Sequence, residues 1–148
     1  DFEIIKIIRD DAQISLLDIA EKVKLSPDAV GYRMKKMEEG IIIAFTPVIN
    51  YHALGYNIHV LMLNLSGLDK QKEKNLNDFM KTNPNILWAV KTAGRYNVLA
   101  YVCTEKETEL QETINELRNT FPEQISHYET ILAVEEYKYT YAPDCLFS

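Results

Sequence analysis

The sequence predicts an α+β chain built in two parts, and three observations carry that prediction. Between Ser15 and Gly40, two short apolar stripes at helical spacing are separated only by Lys24 and Leu25. From Tyr56 onward, apolar runs and amphipathic segments succeed one another in the order β-α-β-β-α-β. The 148 residues are 47% hydrophobic and 26% charged, the balance of a globule with an ordinary core.

The first stripe is Leu16, Ile19, Ala20 and Val23. Ser15 stands at its head, where a hydroxyl accepts from an N–H that the first helical turn leaves orphaned, and Asp18 has the spacing of a capping-box acid. The second helix announces itself more strongly with Ser26-Pro27-Asp28: a cap hydroxyl, a proline at the first helical position and an acid at the positive helix end. Val30, Met34 and Met37 form its stripe, and Gly40 is expected to stop it. Two helices this close in sequence must turn sharply against each other, which is a helix-turn-helix. Such a pair needs a third helix to close its core, and Ile4, Ile5 and Ile8 within residues 2–9 supply the stripe.

After Gly40 the chain changes character. Ile41 to Asn50 is β-rich but contains Pro47, so it is expected to be an edge piece, a small wing or a connecting strand. The turn-like run Asn50 to Gly55 puts a domain boundary near residue 50, with parts 1–50 and 51–148. In the second part, strands are expected over Tyr56–Ser66, Ile86–Thr92, Asn97–Thr104 and Ser126–Tyr141, with helices over Lys70–Lys81 and Lys106–Thr120. That order is the ferredoxin-like split motif. Tyr137, Tyr139 and Tyr141 would then share one face of the last strand, as sheet packing or a dimer surface.

Charge narrows the function classes. The net charge is −6, and residues 1–50 hold 7 Lys/Arg against 9 Asp/Glu, so no general polyanion binder is expected. Nucleic-acid binding would rest on local placement, and Arg33, Lys35 and Lys36 provide it on the second helix of the pair. Two cysteines, Cys103 and Cys145, point to neither a disulfide framework nor a metal site, and a reducing, cytoplasmic setting is expected. No run approaches the 18 or so apolar residues of a membrane span. His52, His59 and His127 fall in three different elements without ligand spacing, and no metal or other cofactor is expected. No Ser/His/Asp order, phosphate loop or close carboxylate pair stands out, so no catalytic residue is assigned and the chain is read as a non-enzyme.

Several of these residues, taken in order, resemble one family nearly end to end. Asp1 with Ile4-Ile5 and Ile8, Asp11-Ala12 before Ser15, Ile19-Ala20, Leu25-Ser26-Pro27, Ala29-Val30, Arg33-Met34-Lys35, Glu38-Glu39-Gly40-Ile41-Ile42, Leu54-Gly55 and Gly94-Arg95-Tyr96-Asn97 resemble the Lrp/AsnC regulators, also called feast/famine proteins. The resemblance implies an N-terminal winged helix-turn-helix and a C-terminal ferredoxin-like domain of the RAM type that senses small molecules and assembles. It departs from the usual pattern at Lys24, where glycine is favoured, and at Gly31 and Tyr32, which replace common His or Arg. Asn97 stands where an acid is typical, and Arg95 reverses a charge that is commonly negative, so the turn should repel an ammonium and attract an anion.

The expected function is sequence-specific binding of double-stranded DNA at a pseudo-palindromic site by a dimer or larger self-assembly, modulated by an amino acid or related metabolite. Asp28 and Tyr32, one turn apart near the start of the second helix, are candidates for base contact, with Ser26 at the cap and Arg33, Lys35 and Lys36 for phosphates. Gly94, Arg95, Tyr96 and Asn97 are the candidate effector turn. Two alternatives stand beside this. Siroheme decarboxylases resemble the same two-domain plan and are enzymes with histidine- and arginine-rich porphyrin pockets, whereas residues 51–148 hold only Arg95 and Arg118. The other is a sensing or assembly module without DNA.

Overall fold

The structure, a computed structural model, describes residues 1–147. It divides into two compact units, one of residues 1–48 joined by the described tail from Tyr137 onward, the other of residues 49–136.

In the first unit, three helices form: α1 (Phe2–Asp10), α2 (Leu16–Val23) and α3 (Pro27–Glu38). Their starts are those the local chemistry dictates. The Ser15 hydroxyl accepts from the Asp18 N–H at 3.1 Å, and the Ser26 hydroxyl accepts from the Ala29 N–H at 3.2 Å. Asp18 closes its box differently from the standard pattern, since its carboxylate accepts from the Ser15 hydroxyl at 2.6 Å rather than from the backbone. Lys24 ends α2 in the left-handed region, at φ 56° and ψ 44°. Its N–H reaches the Glu21 carbonyl while the Leu25 N–H reaches back to Ala20 at 3.0 Å, the paired bonds of a Schellman turn. Gly40 does not end α3 by a left-handed backbone. Instead the Met37 carbonyl accepts from the N–H groups of Gly40, Ile41 and Ile42. Ile4, Ile8, Ile19, Ala20, Val30 and Met37 are buried together between the three helices.

Residues 43–50 form no strand, contrary to the connecting strand expected there. Pro47 lacks an N–H, and no other strand of the described residues pairs with this stretch, so Ile43 stands 98% exposed.

The second unit holds β1 (Asn57–Leu65), α4 (Lys70–Thr82), β2 (Ile86–Lys91), β3 (Val98–Thr104), α5 (Glu107–Thr120) and β4 (Ile125–Ala133). The antiparallel sheet runs β2-β3-β1-β4, as the split β-α-β-β-α-β order requires. Leu61 and Leu63 of β1 and Val98, Ala100 and Val102 of β3 face the helices, packing with Leu76 of α4 and with Leu110, Ile114 and Leu117 of α5. Phe79 and Phe121 meet edge to face with centroids 6.2 Å apart.

The last strand stops at Ala133, short of the Ser126–Tyr141 expected. Tyr137, Tyr139 and Tyr141 therefore share no strand face, and they belong with the first unit, not with residues 51–148. There Arg9 of α1 anchors the tail: its guanidinium donates to the Asp144 carboxylate at 2.7 Å and to the Ala142 carbonyl at 3.3 Å, and lies 5.3 Å from the Phe147 ring centroid. Arg118 is likewise over the Tyr128 ring, at 5.9 Å.

Candidate functional site

Helix α3 packs through Val30, Met34 and Met37, so the residues about half a turn away must face outward. Asp28, Tyr32 and Lys35 follow one another at four- and three-residue steps on that opposite face, with Lys36 beside them, and all four are exposed. Tyr32 is 70% exposed, which for so large a ring is a ring projecting from the helix.

The structure separates Arg33 from the two lysines. Its angular position lies toward the core edge, and its guanidinium reaches the Asp1 carboxylate, at the cap of α1, at 3.3 Å. Ser26 stands at the start of α3 with its hydroxyl oxygen engaged as the cap, which leaves its own proton for an outside acceptor. Gly31 lies where α2 and α3 approach: a Cβ built there would sit 3.7 Å from Leu16 Cδ1, an ordinary contact. Glycine is not demanded at this position by space.

The turn between β2 and β3 is built as firmly as a strand end. Thr92 donates its N–H to the Asn97 carbonyl at 2.9 Å and its hydroxyl to the Tyr96 carbonyl at 2.7 Å. Gly94 has φ +152°, where a side chain would be strained. Asn97 accepts from the Leu65 N–H at 2.8 Å and donates to the Leu65 carbonyl at 2.6 Å. Its side chain thus behaves like one more rung of the β1–β3 ladder, committed to Leu65 through both its oxygen and its nitrogen.

Arg95 and Tyr96 point elsewhere. The Arg95 guanidinium lies 5.3 Å from the Tyr96 ring centroid and 3.7 Å from a Glu129 carboxylate oxygen. Tyr96 stacks on His127 with centroids 6.1 Å apart, and His127 Nε2 is 3.2 Å from Glu129. The neighbouring Tyr96 hydroxyl, then His127 and Arg95, hold the Glu129 carboxyl below the usual carboxylate range, although that buried hydroxyl completes no hydrogen bond of good geometry. The same carboxylate, helped by burial, raises the Tyr96 phenol. His127 and Glu129 escaped the sequence reading. Their alternate positions put them on one face of a strand, but only the register of β4 on β1 brings that face to the turn.

Comparison with known proteins fits this geometry. Residues 1–42 match the family described as winged helix-turn-helix DNA-binding. The chain is 27% identical over 142 residues to the HTH-type transcriptional regulator LrpB of Bacillus subtilis, covering 95% of this chain and 91% of that protein. In fold it is similar to an AsnC family transcriptional regulator from Agrobacterium tumefaciens, with a TM-score of 0.81 at 19% identity over 99% and 96% of the two chains. It is equally similar to a transcriptional regulator from Neisseria meningitidis solved as its L-Met complex, with a TM-score of 0.82 at 13% identity over 99% and 96%.

Proposed function

We propose that this chain, Lrp/AsnC-like in sequence and fold along nearly its whole length, is a DNA-binding transcriptional regulator acting in the cytoplasm and modulated by a small molecule. The observation that carries this reading is the outward face of α3. Asp28, Tyr32, Lys35 and Lys36 project together from a helix whose opposite side is locked into a three-helix core. A rigid helix presenting an aromatic near its start and two cations further along suits a major groove, with the aromatic at base edges and the lysines at phosphates. Asp28 accepts from a cytosine amine in such a pose, and Tyr32 meets a thymine methyl.

Two lysines on an otherwise acidic chain bind weakly one at a time. Pairing two heads on a pseudo-palindromic site raises effective concentration, so a dimer or larger assembly is part of the reading. In the effector part of the reading, Gly94 shapes the turn and Arg95, Tyr96, His127 and Glu129 form its charged face; Asn97 braces it from behind. A ligand changes the assembly only by binding one state better than another. That relatives of this chain are regulators supports a role without catalysis.

Selection of bound sequences from random duplex DNA at stated salt tests the reading directly. Enrichment of a two-fold symmetric motif is expected. Recovery of no motif by the folded protein sinks sequence-specific binding.

A further inference from the structure

Between α4 and the helix-facing side of the β2–β3 edge lies a cleft of about 450 Å³, in the size range of small-molecule sites. Its walls are apolar: Leu76 and Met80 come from the helix, Ala89 and Val98 from the strands. Its polar groups sit at the rim. Lys91 reaches across from β2 and pairs with Glu73 of α4, so those two charges cancel. Lys74 and Asn77 also line the cleft, and among the described residues neither side chain has a partner.

We infer that this cleft binds a small apolar monocarboxylate, its tail against Leu76, Met80, Ala89 and Val98 and its head at Lys74 and Asn77. An apolar wall calls for an aliphatic or aryl tail of a few carbons. The rim carries one uncompensated positive charge and an amide whose NH2 group can donate, a pairing that suits a carboxylate. An ammonium finds no free acid there, because Glu73 is already engaged by Lys91. The site is on the helix side of the sheet, whereas the Arg95–Tyr96–His127–Glu129 group is on the opposite face; Asn97, its amide already clasped to Leu65, is the one residue of the turn that also lines the cleft. It stands whether or not the chain binds DNA.

The test is a methyl-resolved NMR titration of the full chain with hexanoate, hexylammonium and hexanol as probes. Saturable shifts at the methyls of Leu76, Met80, Ala89 and Val98 with hexanoate are expected, with weaker binding of the other two. Lys74→Gln, an exposed substitution that leaves the core alone, should weaken hexanoate about three- to tenfold, the worth of one partly screened charge-assisted contact. Hexylammonium binding as well as hexanoate, shifts confined to other methyls, or unchanged affinity in Lys74→Gln would each overturn the assignment.

Discussion

Lys24 carries the single left-handed non-glycine backbone among the described residues. A Cβ in that region costs about 1–2 kcal/mol, and the exposed side chain forms no hydrogen bond or ion pair among the described residues to offset it. Lys24→Gly relieves the strain but frees the unfolded chain, so a net gain of about 1 kcal/mol is expected in urea unfolding followed by circular dichroism. Asn97 gives the opposite case. Asn97→Asp keeps an acceptor for the Leu65 N–H but takes away the donor to the Leu65 carbonyl, and repulsion between two oxygens replaces a 2.6 Å hydrogen bond. A loss of about 1–3 kcal/mol is expected by the same measurement, and no change would show that the clasp is dispensable. Both positions stand out in the sequence as unusual, but for different reasons. Lys24 was legible because the family resemblance favours glycine at its position. The role of Asn97 was not, because its partner lies 32 positions away on another strand.

At the scale of the element, α3 is a helix with one avoidable weakness. Gly31 costs roughly 0.5–1 kcal/mol relative to alanine, and a methyl there meets Leu16 at ordinary contact distance. Gly31→Ala should therefore raise stability by that amount in thermal unfolding, and destabilisation would mean that α2 and α3 cannot take up even one methyl. The two outward lysines and Arg33 should separate in DNA binding measured by fluorescence anisotropy. Removing Lys35 and Lys36 together is expected to flatten the dependence of log affinity on log salt by about 1.8, near 0.9 per phosphate lost. Arg33→Ala should change that slope less, since Asp1 already holds its guanidinium. Equal effects from all three would restore Arg33 to the phosphate-contacting set. The helices and the first three strands of the sheet were readable from periodicity and caps. The Tyr137–Tyr141 alternation has strand spacing, but among the described residues no strand pairs with the chain beyond Ala133, so the last strand is shorter than its periodicity suggests.

For the molecule as a whole, each unit has its own buried cluster, and the chain's end belongs to the unit of its beginning. Arg9 is the anchor. Its hydrogen bond and charge hold the Asp144 carboxyl below its ordinary range, while Asp10, then Asp144, raise Arg9. A carboxyl with a depressed folded pKa adds stability that is present above its unfolded pKa and is lost as the pH falls through the folded value. Tail docking should thus persist at neutral pH and loosen in acid. Amide shifts of Ala142 and residues 144–147 followed from about pH 7 to about pH 2 should titrate with a midpoint below that of a free aspartate. In Arg9→Ala the midpoint should return to the ordinary range, and an unchanged midpoint would separate Asp144 from Arg9.

Order along the chain was enough for the caps at Ser15 and Ser26, the helical stripes, the β-α-β-β-α-β succession and the outward basic residues of α3, because each depends on neighbours within a turn or on a period of two or 3.6. Distance along the chain hid the rest. The pairing of Arg33 with Asp1, the Asn97 clasp on Leu65, the Glu129 carboxylate beneath Tyr96 and the return of the tail to Arg9 join residues 32 or more positions apart. No local spacing encodes such contacts. They arise only when strand register and helix packing have set which faces meet.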